Sequence, residues 1–137
     1  MIDLASLPVL VVDDYLSMRR LLRTLLSQIG LTNVTYAADG AAALAQLRDH
    51  SFQLIISDLK MEPMSGLDLL RWVRMDRRLS TIPFIMVTAA TDTDQVVAAK
   101  KAGVTDYIVK PFTVDILRRK LASVLDLSLR NASSTAE

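Results

Sequence analysis

Five short β-rich runs recur along the chain: PVLVV (8–12), VTYA (34–37), QLIIS (53–57), FIMVT (84–88) and YIVK (107–110). A stretch with helical spacing follows each of them. Leu21, Leu22, Leu25, Leu26 and Ile29 form the first stripe, closed by Gly30 as a C-cap. Ala41 to Leu47 follows Asp39-Gly40, Leu67, Leu70 and Val73 form a third stripe, and Val96 to Ala102 ends at Gly103. Ile116, Leu117, Leu121, Val124 and Leu125 make the last, starting near Thr113. Repeated strand–helix units make successive strands parallel and put helices on both faces of the sheet. The strands read as continuous apolar runs, as strands buried on both faces do. The expectation is a single α/β domain, a doubly wound (βα)5 parallel sheet over residues 1–127. Residues 128–137 (SLRNASSTAE) lose all periodicity and are expected to fray.

Composition narrows the function classes. The 137 residues contain no cysteine and a single histidine, His50, which excludes thiol nucleophiles, zinc-thiolate sites and histidine metal clusters. The net charge of +1 argues against a general nucleic-acid binder. No apolar run approaches membrane-spanning length and no basic region precedes Leu7–Val12, so a cytoplasmic protein without membrane insertion is expected. The clusters Arg19-Arg20-Arg23, Arg71/Arg74/Arg77/Arg78 and Arg118-Arg119-Lys120 read as solvated helix faces.

The polar residues at the strand ends are harder to explain as surface. Asp13-Asp14 close the first strand, Asp58 the third, Thr88 the fourth and Lys110 the fifth. Each has an ordinary reading alone, as a turn, an N-cap or a solvated end. In an open parallel sheet, however, all these ends lie on one edge, where ligands bind. Three carboxylates, a hydroxyl and an ammonium then converge on one crevice. Adjacent carboxylates repel and raise each other's pKa. A hard divalent cation such as Mg²⁺ relieves that repulsion and keeps places for phosphate oxygens. The chemistry that such a set supports is phosphoryl transfer onto a carboxylate.

The segments VVDDYLSMRR, AADGAAAL, LIISDLKMEPMSGLDLL, PFIMVTA, AAKKAGVTDYIVKPFT and LRRKL carry a resemblance. Over residues 8 to 125 the chain resembles the receiver domain of two-component response regulators, most closely the single-domain, CheY-like chemotaxis type. The resemblance implies strand order 2-1-3-4-5, shared with flavodoxin-like folds. It implies Asp58 as phosphoacceptor and Asp14 as direct Mg²⁺ ligand, with Asp13 acting through water and Lys60 through its backbone carbonyl. Lys110 would pair with the phosphoryl group, Thr88 would swing towards it, and Tyr107 would turn inward as the switch aromatic. Ala89 matches the small residue beside the phosphate, and the Lys110–Pro111 bond is expected to be cis. Self-phosphorylation from small donors and slow autodephosphorylation would be the only catalysis.

Two departures bear on the site. Glu62 stands where the family usually has proline, with Pro63 one later, which puts the loop before Met64-Ser65-Gly66 in question. Lys60 and Ala90 hold the variable flanking positions that tune phosphate lifetime in the family. Leu59 replaces the chemotaxis type's tryptophan, leaving Trp72 a poor reporter of metal binding.

Two other classes are disfavoured by sequence. A haloacid-dehalogenase-type phosphatase needs Asp-x-Asp-x-Thr after the first strand, where the chain reads DDYLS. A flavodoxin-like FMN protein needs a hydroxyl- and glycine-rich loop there. Within the receiver class, the expected donor is a sensor histidine kinase or phosphotransfer protein. No output domain follows residue 127, so a monomer acting through protein contacts is expected. The implied output surface spans about Thr93–Leu127, facing the flagellar switch. A phosphorelay or phosphate-sink role stays open.

Overall fold

The computed structural model describes residues 3–136, with side chains through Leu125. Five strands, β1 (Val9–Val12), β2 (Val34–Ala37), β3 (Leu54–Asp58), β4 (Phe84–Ala89) and β5 (Asp106–Lys110), form one parallel sheet in the order β2-β1-β3-β4-β5. Five helices alternate with them: α1 (Leu16–Ile29), α2 (Gly40–Asp49), α3 (Gly66–Met75), α4 (Thr93–Ala102) and α5 (Val114–Ala136).

Successive side chains on a strand face opposite ways, so each apolar run feeds two cores. Leu10, Val12, Ile55, Phe84 and Met86 pack with Leu47, Leu69, Leu70, Val73 and Ala99 beneath α2, α3 and α4. Val9, Val11, Leu54, Ile56, Ile85 and Val87 pack with Leu22, Leu26, Leu117 and Leu121 beneath α1 and α5. Every residue of β1 and β3 is buried, whereas β2 and β5, at the edges, are partly open.

The caps follow the local chemistry. Gly30 and Gly103 end α1 and α4 with φ of 106° and 96°, a left-handed conformation that glycine adopts without strain. Asp39 caps α2 by accepting from the Ala42 amide, and Ser65 and Asp68 form a reciprocal capping box on α3.

Two arginines of the Arg71/Arg74/Arg77/Arg78 cluster depart from the solvated-face reading. Arg74 on α3 is half-buried and donates to the carbonyls of Gly103 (2.8 Å), Ile82 (2.7 Å) and Ser80 (3.3 Å). It ties α3 to the turn after α4 and to the turn before β4. Arg78 likewise donates to the Leu47 carbonyl. The backbone of α5 continues helical to Ala136, through most of the segment where fraying is expected. The side chains of that tail, and Glu137, lie outside the described residues.

Candidate functional site

Register brings the strand-end residues together. Val12 pairs with Ser57, which sets Asp13 level with Asp58 across the β1–β3 seam. Asp58 pairs with Val87, one residue before Thr88, and Ala89 pairs with Lys110. The carboxylates of Asp13, Asp14 and Asp58 each bring an oxygen within 4.8 Å of the others. Lys110 reaches across β4, its Nζ 2.9 Å from Asp58 Oδ1.

The three acids are held unequally. Asp13 is 1% exposed, and its Oδ1 accepts from the Tyr15 amide at 2.9 Å, closing the turn into α1. Asp14 is exposed and, among the described residues, carries no side-chain hydrogen bond or ion pair. The turn role that the pair suggests in sequence is therefore filled by Asp13, leaving Asp14 free. Burial pushes the Asp13 carboxyl above its ordinary value; the Tyr15 amide opposes that, and the charges of Asp58 and Asp14 add to it. Asp58, 5% exposed, is also raised, by burial first and by Asp14, with Lys110 pulling it back down. Three carboxylates thus meet at one largely buried point with Lys110 as the ammonium paired there. Two acids with raised pKa beside a third, open one make a donor set that fits a hard divalent cation.

The remaining strand-end residues lie around this cluster. Thr88 is 1% exposed, and its hydroxyl donates to the Ala89 carbonyl at 3.3 Å, not to Asp58. Tyr107 is half-buried against the α4 side of the core, with Lys100 Nζ and Lys120 Nζ 5.2 and 5.3 Å from its ring centre. The Lys110–Pro111 bond is cis, as the resemblance implies, and Glu62–Pro63 is cis as well.

The loop that Glu62 puts in question still closes at Gly66. The Gly66 amide donates to the Leu59 carbonyl at 2.8 Å, and Ser65 caps the start of α3. A Cβ on Gly66 would run into the backbone carbonyl of Asp58, so the start of α3 sits directly on the end of β3. Only glycine permits that approach. Leu59 is buried and Trp72 is exposed on α3, within a groove lined by Pro63, Met64 and Met75.

Sequence reasoning missed three participants. Arg19, grouped with a solvated basic face, donates to the Asp13 carbonyl at 2.6 Å and steadies the β1 end. Asp92 is 8% exposed, and Lys60 reaches it with its side chain, Nζ to Oδ1 3.0 Å. Lys120 adds an ion pair to Asp106, 3.0 Å. The signal for Asp92 was thin: an aspartate just ahead of a helix, in a segment rich in Asp and Thr.

Fold and site define a doubly wound α/β domain with an acidic, lysine-backed crevice at the carboxyl edge of its sheet. The chain belongs to the response regulator receiver domain family, whose pattern matches residues 9–122. Receiver domains bind Mg²⁺ at an acidic pocket, and the cluster of Asp13, Asp14 and Asp58 is a pocket of that kind. The chain is 43% identical over 118 residues to chemotaxis protein CheY of Pseudomonas aeruginosa, covering 86% of this chain and 95% of that one. Chemotaxis protein CheY-3 of Vibrio cholerae is 39% identical over 121 residues, covering 88% and 93%. Among solved structures, Vibrio cholerae chemotaxis protein CheY4 matches with a TM-score of 0.79 at 36% identity, covering 86% of this chain and 98% of that one. The receiver domain of a signal transduction histidine kinase from Syntrophus aciditrophicus matches with a TM-score of 0.81 at 30% identity, covering 88% and 91%. Among the described residues no helix is long and apolar enough to cross a membrane.

Proposed function

We propose that this receiver takes a phosphoryl group from a phosphohistidine onto Asp58 and switches a protein-binding face in chemotaxis-type signalling in the cytoplasm. The observation that carries the reading is the contact of Lys110 with Asp58 Oδ1 at 2.9 Å beside two further carboxylates. A carboxylate oxygen of Asp58 attacks the phosphorus, and the phosphorus–nitrogen bond to the donor imidazole breaks. The imidazole leaves with the electron pair and regains neutrality through a solvent proton. Asp13, Asp14, Asp58 and the Lys60 carbonyl would hold Mg²⁺, which supplies positive charge opposite the phosphoryl oxygens. Lys110 leaves its ion pair to meet the arriving group, as a donor aimed at developing charge does. Water attack on phosphorus later releases inorganic phosphate and restores the carboxylate.

The switch runs through Thr88 and Tyr107. The Thr88 hydroxyl, now on the Ala89 carbonyl, turns towards the phosphoryl oxygens, and Tyr107 moves inward behind it. Phosphorylation thereby shifts an existing equilibrium and does not create a new state. The output face is about Thr93–Leu127, where Lys100, Lys101, Arg118, Arg119 and Lys120 suit an acidic or amphipathic partner. Chemotaxis proteins among its relatives, at 43% and 39% identity, support that output.

Two tests separate the layers of this reading. With acetyl phosphate and Mg²⁺, intact mass should show one phosphoryl group per chain, absent in Asp58→Asn; many turnovers per chain would mark a hydrolase instead. Beryllofluoride-locked protein should then capture a flagellar switch component that untreated protein does not. Capture of kinases or phosphotransfer proteins alone, favouring the untreated protein, would mean a relay or sink.

A further inference from the structure

The three helices that begin after Asp39, Ser65 and Asp92 start in two different ways. Asp39 and Ser65 have extended backbones, with φ/ψ of −159°/173° and −74°/165°, and their side chains accept from the amide three residues on. Those are ordinary N-caps. Asp92 precedes α4 with φ/ψ of −93°/41°, and its side chain makes no capping bond. Its carboxylate, 8% exposed, is turned instead onto Lys60 Nζ at 3.0 Å. The residue type best suited to start α4 is therefore diverted, and the first-turn amides of that helix lose their side-chain acceptor.

Both ends of this ion pair lie on loops leaving the phosphoacceptor edge. Lys60 is two residues after Asp58, and Asp92 is four after Thr88. The lysine side chain is 72% exposed, so the pair is wet at one end and exchanges readily. Helix α4 is also the most lightly anchored of the first four, with only Ala99 buried. A helix with a single fully buried residue responds to a cap at its first turn.

We propose that Lys60 and Asp92 form a latch between the phosphoacceptor loop and α4. Asp92 is a positioning residue that acts through Lys60. In the resting protein the ammonium holds the Asp92 carboxylate away from α4. A phosphoryl group on Asp58 brings about two negative charges beside Lys60 and competes for the ammonium. Released, Asp92 rotates to the extended backbone of its two counterparts and caps α4 at the Gln95 amide, firming one edge of the output face. The inference rests on Asp58 being the phosphoacceptor.

The test is amide hydrogen exchange at Gln95, read by NMR with Mg²⁺, with and without beryllofluoride. Chelator-sensitive labelling of wild-type Asp58 by acetyl phosphate checks the underlying reading separately. In wild type, beryllofluoride should slow Gln95 exchange by about five-fold, the scale of one side-chain cap. Lys60→Gln should show that slowing already without the analogue. Asp92→Ala should exchange fast in both conditions, a contrast that general loosening of the loop does not produce. Gln95 exchange in Lys60→Gln equal to resting wild type, or no response in a wild type that labels normally, would overturn the latch.

Discussion

Lys110 spans the width of β4 to place its ammonium 2.9 Å from Asp58 Oδ1, although 52 residues separate the two in the chain. The contact offsets part of the burial that raises the Asp58 carboxyl, and so favours its ionised, nucleophilic form. Removing the ammonium should therefore act on both charge and chemistry. Lys110→Met should push the Asp58 pKa further up, visible in an NMR titration of the carboxyl carbon. It should also slow labelling by acetyl phosphate by about a hundred-fold, the scale for losing one aimed donor. An unchanged titration would separate Lys110 from Asp58.

Without a divalent cation the acidic cluster should cost stability at neutral pH. Asp13 and Asp58 both have folded pKa values above the ordinary carboxylate value of 3.8. Between 3.8 and those raised values the folded state binds more protons than the unfolded state, so stability falls as pH rises through that window. Asp13→Asn removes a buried charge while keeping an oxygen for the Tyr15 amide. In chelator at pH 7 it should unfold at a higher temperature than wild type, with the gap closing as pH falls below the window. Calorimetry at several pH values checks the sign, and added Mg²⁺ should stabilise wild type more than the variant.

Gly66 allows the start of α3 to rest on the Asp58 backbone carbonyl. Gly66→Ala forces the two apart at a backbone contact that no side-chain rotation relieves. The expected loss is about 2–3 kcal/mol in denaturant unfolding. Labelling of the residual folded protein should also slow, because the phosphoacceptor's own carbonyl must shift.

Arg74 and Arg71 lie one helical turn apart on α3 and should behave oppositely. Arg74→Met leaves the carbonyls of Gly103 and Ile82 without their donor and should cost about 2–3 kcal/mol. Arg71, exposed and 4.0 Å from Asp68, should cost less than about 0.5 kcal/mol when changed to Ala. Parallel urea melts of the two variants decide the comparison.

What the sequence disclosed follows from what each residue must do locally. The five strands were legible because burial on both faces leaves unbroken apolar runs, and Asp13, Asp58 and Lys110 stood out by ending such runs. Edges were less clear: α1 begins at Leu16, five residues before its apolar stripe, because its first turn packs little against the core. Arg74 was invisible among four arginines, since only the placement of the Ile82 and Gly103 carbonyls singles it out. The ion pair of Lys60 is not legible in the sequence, because its side-chain partner, Asp92, lies across two loops that only the sheet brings together.

The most direct measurement is chemical mapping of the phosphoryl group. Protein treated with acetyl phosphate and Mg²⁺ is reduced with borohydride, which converts an aspartyl phosphate to homoserine, and its peptides are sequenced by mass spectrometry. The conversion should fall on Asp58 alone and disappear when the metal is chelated. Conversion at Asp13 or Asp14, or at Asp58 to the same extent in chelator, would contradict the assignment of nucleophile and metal ligands.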